Sequence, residues 1–218
     1  MRAAPSVPSH RLWGRSVLKT IFLIDSITSW MAKAFAWCIL IMTFGVSYEV
    51  FMRYILRDPT PWAFDLSYMM YGTLFMMAGA YTLSRDGHVR GDVIYRLLKP
   101  KTQATLELIL YFLFFFPGIL ALIFAGWRYA AQSLSFREVS VYSPANVPIY
   151  QFKMVIPAAG VLLFIQGIAQ VFRCILCIRT GTWPPHTEDV EETETMLVHG
   201  KEDDAQLRAE LGLGGKND

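Results

Sequence analysis

Long apolar runs separated by short polar stretches set the pattern of this chain. Four of them, at about residues 30–52, 62–83, 106–127 and 154–178, each supply the roughly 20 mainly apolar residues that a helix needs to cross a hydrocarbon core. They are continuous rather than two-sided, which predicts membrane helices instead of helices on a soluble core. Two further segments are two-sided. In "RLWGRSVLKTIFLI", Arg11, Arg15 and Lys19 recur every four residues, with Trp13, Val17, Ile21 and Ile24 opposite. In "DVIYRLLK", Asp92 is placed to cap a helix start, Val93, Ile94, Leu97 and Leu98 give an apolar face, and Pro100 ends it. Both predict helices lying in the membrane interface with a basic face against anionic headgroups. The predicted fold is an all-α integral membrane protein of four transmembrane helices with interfacial amphipathic helices.

Charge divides the chain in three and orients it. Residues 1–29 form a basic N-terminal segment, 30–178 the membrane domain, and 179–218 an acidic tail. From Glu188 onward ten acidic side chains face three basic ones, a net −7 that leaves +9 for the rest of a chain whose total is +2. Such a tail, poor in aromatics, predicts disorder. Arg2, Arg11, Arg15 and Lys19 precede the first run, Arg85, Arg90, Arg96, Lys99 and Lys101 fill the second connection, and Arg173 and Arg179 close the last run. The first connection has only Arg53 and Arg57, and the third has Arg128, Arg137 and Lys153. The lysine and arginine bias therefore predicts cytoplasmic termini. The N-terminal run is too short and too interrupted by Asp25 for a cleaved signal peptide, so it is expected to be retained. Hydrophobic residues make up 54% of the 218 and charged ones 17%, against about 25% in soluble domains, which excludes an ordinary soluble protein. The basic residues flank apolar runs, which argues against nucleic-acid binding.

The spans offer little for chemistry. Ionisable residues are expected near their ends: Lys33 and Glu49 in the first, Asp65 in the second, Glu107 and Arg128 in the third, Lys153 and Arg173 around the fourth. No carboxylate chain or histidine pair marks an ion route or a haem, and no cofactor or metal is implied. Cys174 and Cys177 form a C-x-x-C in an apolar helical setting, which reads as two small hydrophobes. Glu49 lies four residues before Arg53, an ion-pair spacing. Thr60 and Pro61 precede Asp65 as a cap and first-position pair. Gly72 and Gly79, Gly160 and Gly167, and the Gly118, Ala121 and Ala125 face suit close helix approach in lipid. Gln166 is expected to bond across helices, and Pro117 and Pro157 to kink their spans. At "RDGHVRGD", Gly87 is expected to end the second helix, with His88 and Arg90 holding a turn that leads to Asp92.

Taken in order, Arg53, Trp62 and Asp65 at the opening of the second span, Gly79 within it and "HVRGD" after it form a recognisable series. "FREVS" with Glu138, then "VPIYQFKMVIPAAG" leading to Gln166, complete it. The chain resembles the small membrane subunit of tripartite ATP-independent periplasmic (TRAP) transporters, the DctQ-type small permease, over about residues 30–173. Within it the resemblance is nearest the branch grouped with mannitol and chloroaromatic-compound systems. Asp65 stands where the family usually has Glu, and Gly91 where it has an apolar residue. The resemblance implies a non-enzymatic scaffold in the bacterial inner membrane. Its partners would be a large permease subunit, which carries the solute and sodium sites, and a periplasmic binding protein that delivers an organic acid. It makes Glu49, Arg53, Trp62, Asp65, Gly72, Gly79, His88, Arg90, Asp92, Glu138 and Gln166 structural or subunit-interface candidates. The alternatives are a membrane anchor of a quinone-linked redox complex, which an absorbance spectrum would reveal, and a stand-alone four-helix sensor or organiser.

Overall fold

The computed structural model describes residues 9–85, 95 and 98–184, with side chains from Val17 onward. Expectations for His88, Arg90 and Asp92, for the Gly87 cap and for the acidic tail lie outside the described residues, as does most of the in-plane helix expected at 92–99. The helical unit takes in residues 1–185, and 186–218 form a separate segment.

Helix α1, Ser9–Phe51, runs 43 residues without a break and continues into a π-helical segment, Met52–Leu56. A separate in-plane helix and first span were expected here. The two are joined because nothing between Val17 and Phe51 breaks a helix apart from Gly45, and because α1 carries one unbroken inward stripe. That stripe is Ile21, Asp25, Thr28, Ala32, Phe35, Cys38, Met42, Gly45, Glu49 and Met52, spaced by threes and fours as a packed helix face requires. The opposite stripe carries Leu23, Trp30, Trp37 and Phe44, each more than three-fifths exposed. Arg57 ends the helix in a left-handed conformation, φ 57°, and its N–H donates to Met52.

Helix α2, Ala63–Ser84, returns antiparallel to α1. Gly45 lies under Leu66 at one end, and Arg85 donates to the Ser29 hydroxyl at 3.3 Å at the other. Helix α3, Pro100–Leu110, passes through a second π-helical segment, Tyr111–Phe115, into α4, Phe116–Ser135. The π turn sits just before Pro117, which has no N–H for the turn behind it and whose ring crowds that turn. A short α5, Tyr150–Lys153, leads through Met154 into α6, Val155–Thr180. That break has the same origin, since Pro157 cannot donate to the carbonyl of Lys153.

Among the described residues, three stretches are long and apolar enough to cross a membrane: Val17–Leu56, Pro100–Ser135 and Tyr150–Thr180. Helix α2, the second of the four expected spans, is not among them. In the first two stretches 6% of the most apolar window is buried, against 50% in the third, so α6 is the central post on which the other helices lean. Close approaches on α6 and α2 come where side chains are missing. A Cβ on Gly167 would lie 2.4 Å from the Phe115 ring, one on Gly160 2.8 Å from Ile123, and one on Gly72 2.6 Å from Phe152. Gly118, expected on a packed face, has nothing within 4 Å, and Ala121 and Ala125 beside it are exposed. No strand occurs among the described residues, only an isolated antiparallel bridge between Val139 and Pro148.

Candidate functional site

Four polar clusters lie among these helices, and each carboxylate in them is held by groups of this chain. The deepest joins α1 to α6. Asp25 is 2% exposed, and Arg173 and Gln166 are fully buried. One Asp25 oxygen pairs with the Arg173 guanidinium, and the other accepts from Gln166 Nε2 at 2.9 Å. Thr28 Oγ1 donates to Gln166 Oε1 at 2.9 Å, and Arg173 donates to Gln170 Oε1 at 2.9 Å. The expectation that Arg173 merely marks a span end is therefore corrected. It is a buried cation whose counter-ion comes from the segment expected to lie flat on the membrane. An ion pair out of water persists only when its remaining lone pairs and protons find partners, and the two glutamines and Thr28 meet most of that need.

Below it, Glu107 on α3 is 8% exposed. It accepts from the Tyr95 hydroxyl, and the Cys174 thiol donates to its other oxygen at 3.7 Å. Cys177 donates to the carbonyl of Pro100 at 3.6 Å. Neither cysteine is in a disulfide, and both are fully buried against Ala104. The C-x-x-C thus packs a helix crossing and also feeds one weak donor to a buried carboxylate.

At the opposite end of the bundle, Glu49 accepts from Arg53 Nε at 2.9 Å and Nη2 at 2.6 Å. Its second oxygen takes both the backbone N–H of Thr60, at 2.8 Å, and the Thr60 hydroxyl. This overturns the expected cap on α2. The N-cap residue is Trp62, which makes no side-chain cap bond, because Thr60 is engaged in closing the α1–α2 turn on Glu49. Trp62 stacks on Tyr48 with ring centroids 6.1 Å apart, across the same turn.

Asp65, in the first turn of α2, is fully buried. Ser140 donates to one oxygen at 2.5 Å and Ser143 to the other. These serines belong to the connection between α4 and α5, so Asp65 pins that loop to the bundle. Main-chain bonds from Ser140 N to Val147 O, 2.8 Å, and from Ile149 N to Glu138 O, 3.1 Å, hold the loop in a hairpin shape. The Lys153 ammonium bonds Glu138 and lies 4.2 Å from the centre of the Tyr129 ring. The hydrogen bond from Lys153 draws the Glu138 carboxyl below the usual carboxylate range.

Gln166 and Asp65 are thus the buried centres of two clusters, Glu49, Arg53, Trp62 and Glu138 surround two more contacts, and Gly72 and Gly79 lie where α2 meets Phe152 and Leu163. Sequence reading passed over Asp25, Thr28, Gln170, Ser140 and Ser143. One signal was present: Asp25 and Thr28 fall on the same inward stripe as Ile21, Ala32 and Phe35, where a polar residue must have a partner.

Residues 42–177 match the family described as tripartite ATP-independent periplasmic transporters, DctQ component. The chain belongs to this family. It is a transporter component and not an enzyme, the small membrane subunit of a TRAP system, whose family works with a large permease and a solute-binding protein. The match is to the DctQ family as a whole and does not extend to the mannitol and chloroaromatic branch. No curated protein matches the chain significantly. The matched segment leaves out Asp25 but contains its partner Arg173, so the α1–α6 ion pair ties a part outside the match to the DctQ core.

Proposed function

We propose that this chain is the bracing subunit of a sodium-coupled importer of an organic-acid-type solute in the bacterial inner membrane. Four helices cross, with α2 as the second span and both termini in the cytoplasm. The 22 residues of α2 give about 33 Å of helix, enough for the hydrocarbon core. The observation that carries the bracing role is the fate of the carboxylates. Asp25, Glu49, Asp65, Glu107 and Glu138 are each engaged by this chain's own donors. A coupling-ion or solute site needs polar groups left open to the cargo near the midplane. Here they are spent on fixing helices and one loop. The exposed small-residue face of Gly118, Ala121 and Ala125 is where a helix of the large subunit is expected to approach, because association in lipid depends on close van der Waals packing.

Reconstitution tests this reading. Vesicles holding this chain alone should take up no solute under a sodium gradient. Vesicles holding it with the large subunit, supplied with loaded binding protein, should. Sodium-driven uptake by this chain alone would end the bracing proposal, and equal uptake by the large subunit without it would do the same.

A further inference from the structure

The connection between α4 and α5 carries its polarity the wrong way round for a loop in water. No charged residue occurs from Val139 to Phe152. Glu138 and Lys153, which bracket that run, pair with each other. Ser140 and Ser143 turn inward and donate to the buried Asp65, and the Ser140 hydroxyl also accepts from the N–H of Tyr142 at 3.2 Å. Between the two serines Val141 and Tyr142 turn outward, 86% and 76% exposed. A tip surrounded by water would gain from the opposite placement, with hydroxyls outside and the valine inside.

The level at which the tip lies selects what it meets. The Tyr142 ring stands 6.2 Å from Phe64 and 6.4 Å from Tyr68, edge on to both. Those rings belong to the first two turns of α2, so the tip bends back alongside the helix rather than rising clear of its start at Ala63. Phe64 is itself exposed there, and Trp62 and Tyr48, stacked on each other just before that start, are exposed as well. Aromatic rings gathered at one level near the ends of apolar helices, several with a polar edge, suit the interfacial layer of a bilayer. The connection also joins two of the stretches able to cross a membrane, Pro100–Ser135 and Tyr150–Thr180. A surface for a water-soluble partner would stand beyond the helix ends and would carry charge or open hydroxyls. This tip does neither.

We infer that the Val141–Tyr142 tip is a lipid-contacting element, inserted in the interfacial layer of the bilayer and held in that pose by the bonds of Ser140 and Ser143 to Asp65. The inference rests on the membrane reading above but not on transport. Nitroxide labels on single cysteines test it, with alanine in place of Cys38, Cys174 and Cys177. Each variant is reconstituted as its complex with the large subunit in vesicles of phosphatidylethanolamine and phosphatidylglycerol. Val141→Cys is compared with Asn146→Cys, farther along the same loop, and with Phe124→Cys on the exposed side of α4. Phe124 lies eleven residues before Ser135, about 16 Å along the helix and well inside the hydrocarbon. Power saturation reads collisions with oxygen, which concentrates in lipid, and with a water-soluble nickel chelate. Oxygen should exceed nickel at Val141 and most strongly at Phe124, and the order should reverse at Asn146. Nickel exceeding oxygen at Val141, with Phe124 still protected, overturns the inference and puts the tip in water. Low access to both reagents at Val141 overturns it too, because a protein surface then covers the tip. Nickel exceeding oxygen at Phe124 would remove the membrane reading itself, and the inference with it.

Discussion

The Asp25–Arg173 pair is the residue on which most depends, because neither partner has access to water. Removing one leaves the other charged and buried, and such losses typically amount to about 3–5 kcal/mol. Asp25→Ala should therefore lower the thermal midpoint of the purified chain steeply. The double variant Asp25→Leu/Arg173→Met, which removes both charges and keeps volume, should recover most of it. A single variant as stable as the parent would show that water reaches the pair. At the bundle's other end, Glu138 gives a pH dependence with a definite sign. Its carboxyl is held below its ordinary range in the folded chain, so its contribution is present above the unfolded carboxylate value and is lost as pH falls through the lowered folded one. The connection at residues 136–149 should become more susceptible to protease as the medium is acidified through that range. Glu138→Gln should be equally susceptible throughout. Limited proteolysis across a pH series checks both.

Among the elements, the glycines separate internal packing from outward contact. Gly167 faces Phe115, whose ring is already held by Tyr111 and Phe116, so it has little room to yield. Gly167→Leu should destabilise the chain by about 1–3 kcal/mol through overpacking. Gly118→Leu has open space and should leave the isolated chain unchanged, yet weaken its co-purification with the large subunit. Thermal unfolding and pull-down on the two variants separate these roles, and equal destabilisation would contradict the open face. The apolar runs announced three of the helices because hydropathy is summed locally and needs no knowledge of neighbours. Helix ends were less legible. The continuous α1 and the π turn before Pro117 arise from tertiary partners and from a backbone register that composition does not display. Asp25 and Arg173 lie 148 positions apart, and Asp65 finds its serines 75 and 78 positions away. Pairings of that range are fixed only when helices dock. The i, i+4 pair Glu49–Arg53 could be read directly because one helix brings it together.

Across the whole molecule, the two ends of the bundle differ in chemistry, and that difference should be matched by their exposure to the two sides of the membrane. One end closes on Glu49–Arg53, Asp65 with its two serines, and Glu138–Lys153. The other end carries Lys101 and Arg179 exposed at the helix ends. Lysine and arginine are in excess in the short connections on the cytoplasmic side, and the second connection carries Arg85, Arg90, Arg96, Lys99 and Lys101, so the loop at 136–149 should face the periplasm. Single cysteines provide the measurement, in a background where Cys38, Cys174 and Cys177 are replaced by alanine. Asn146 is exposed in its loop, so a cysteine there should react with a membrane-impermeant maleimide in intact spheroplasts. Cysteines at Ser9 and Thr187 should react only once the membrane is opened. Because the cysteine-free background removes two buried thiols, its folding is checked first by co-purification with the large subunit. Labelling of Asn146 only after the inner membrane is breached would invert the orientation.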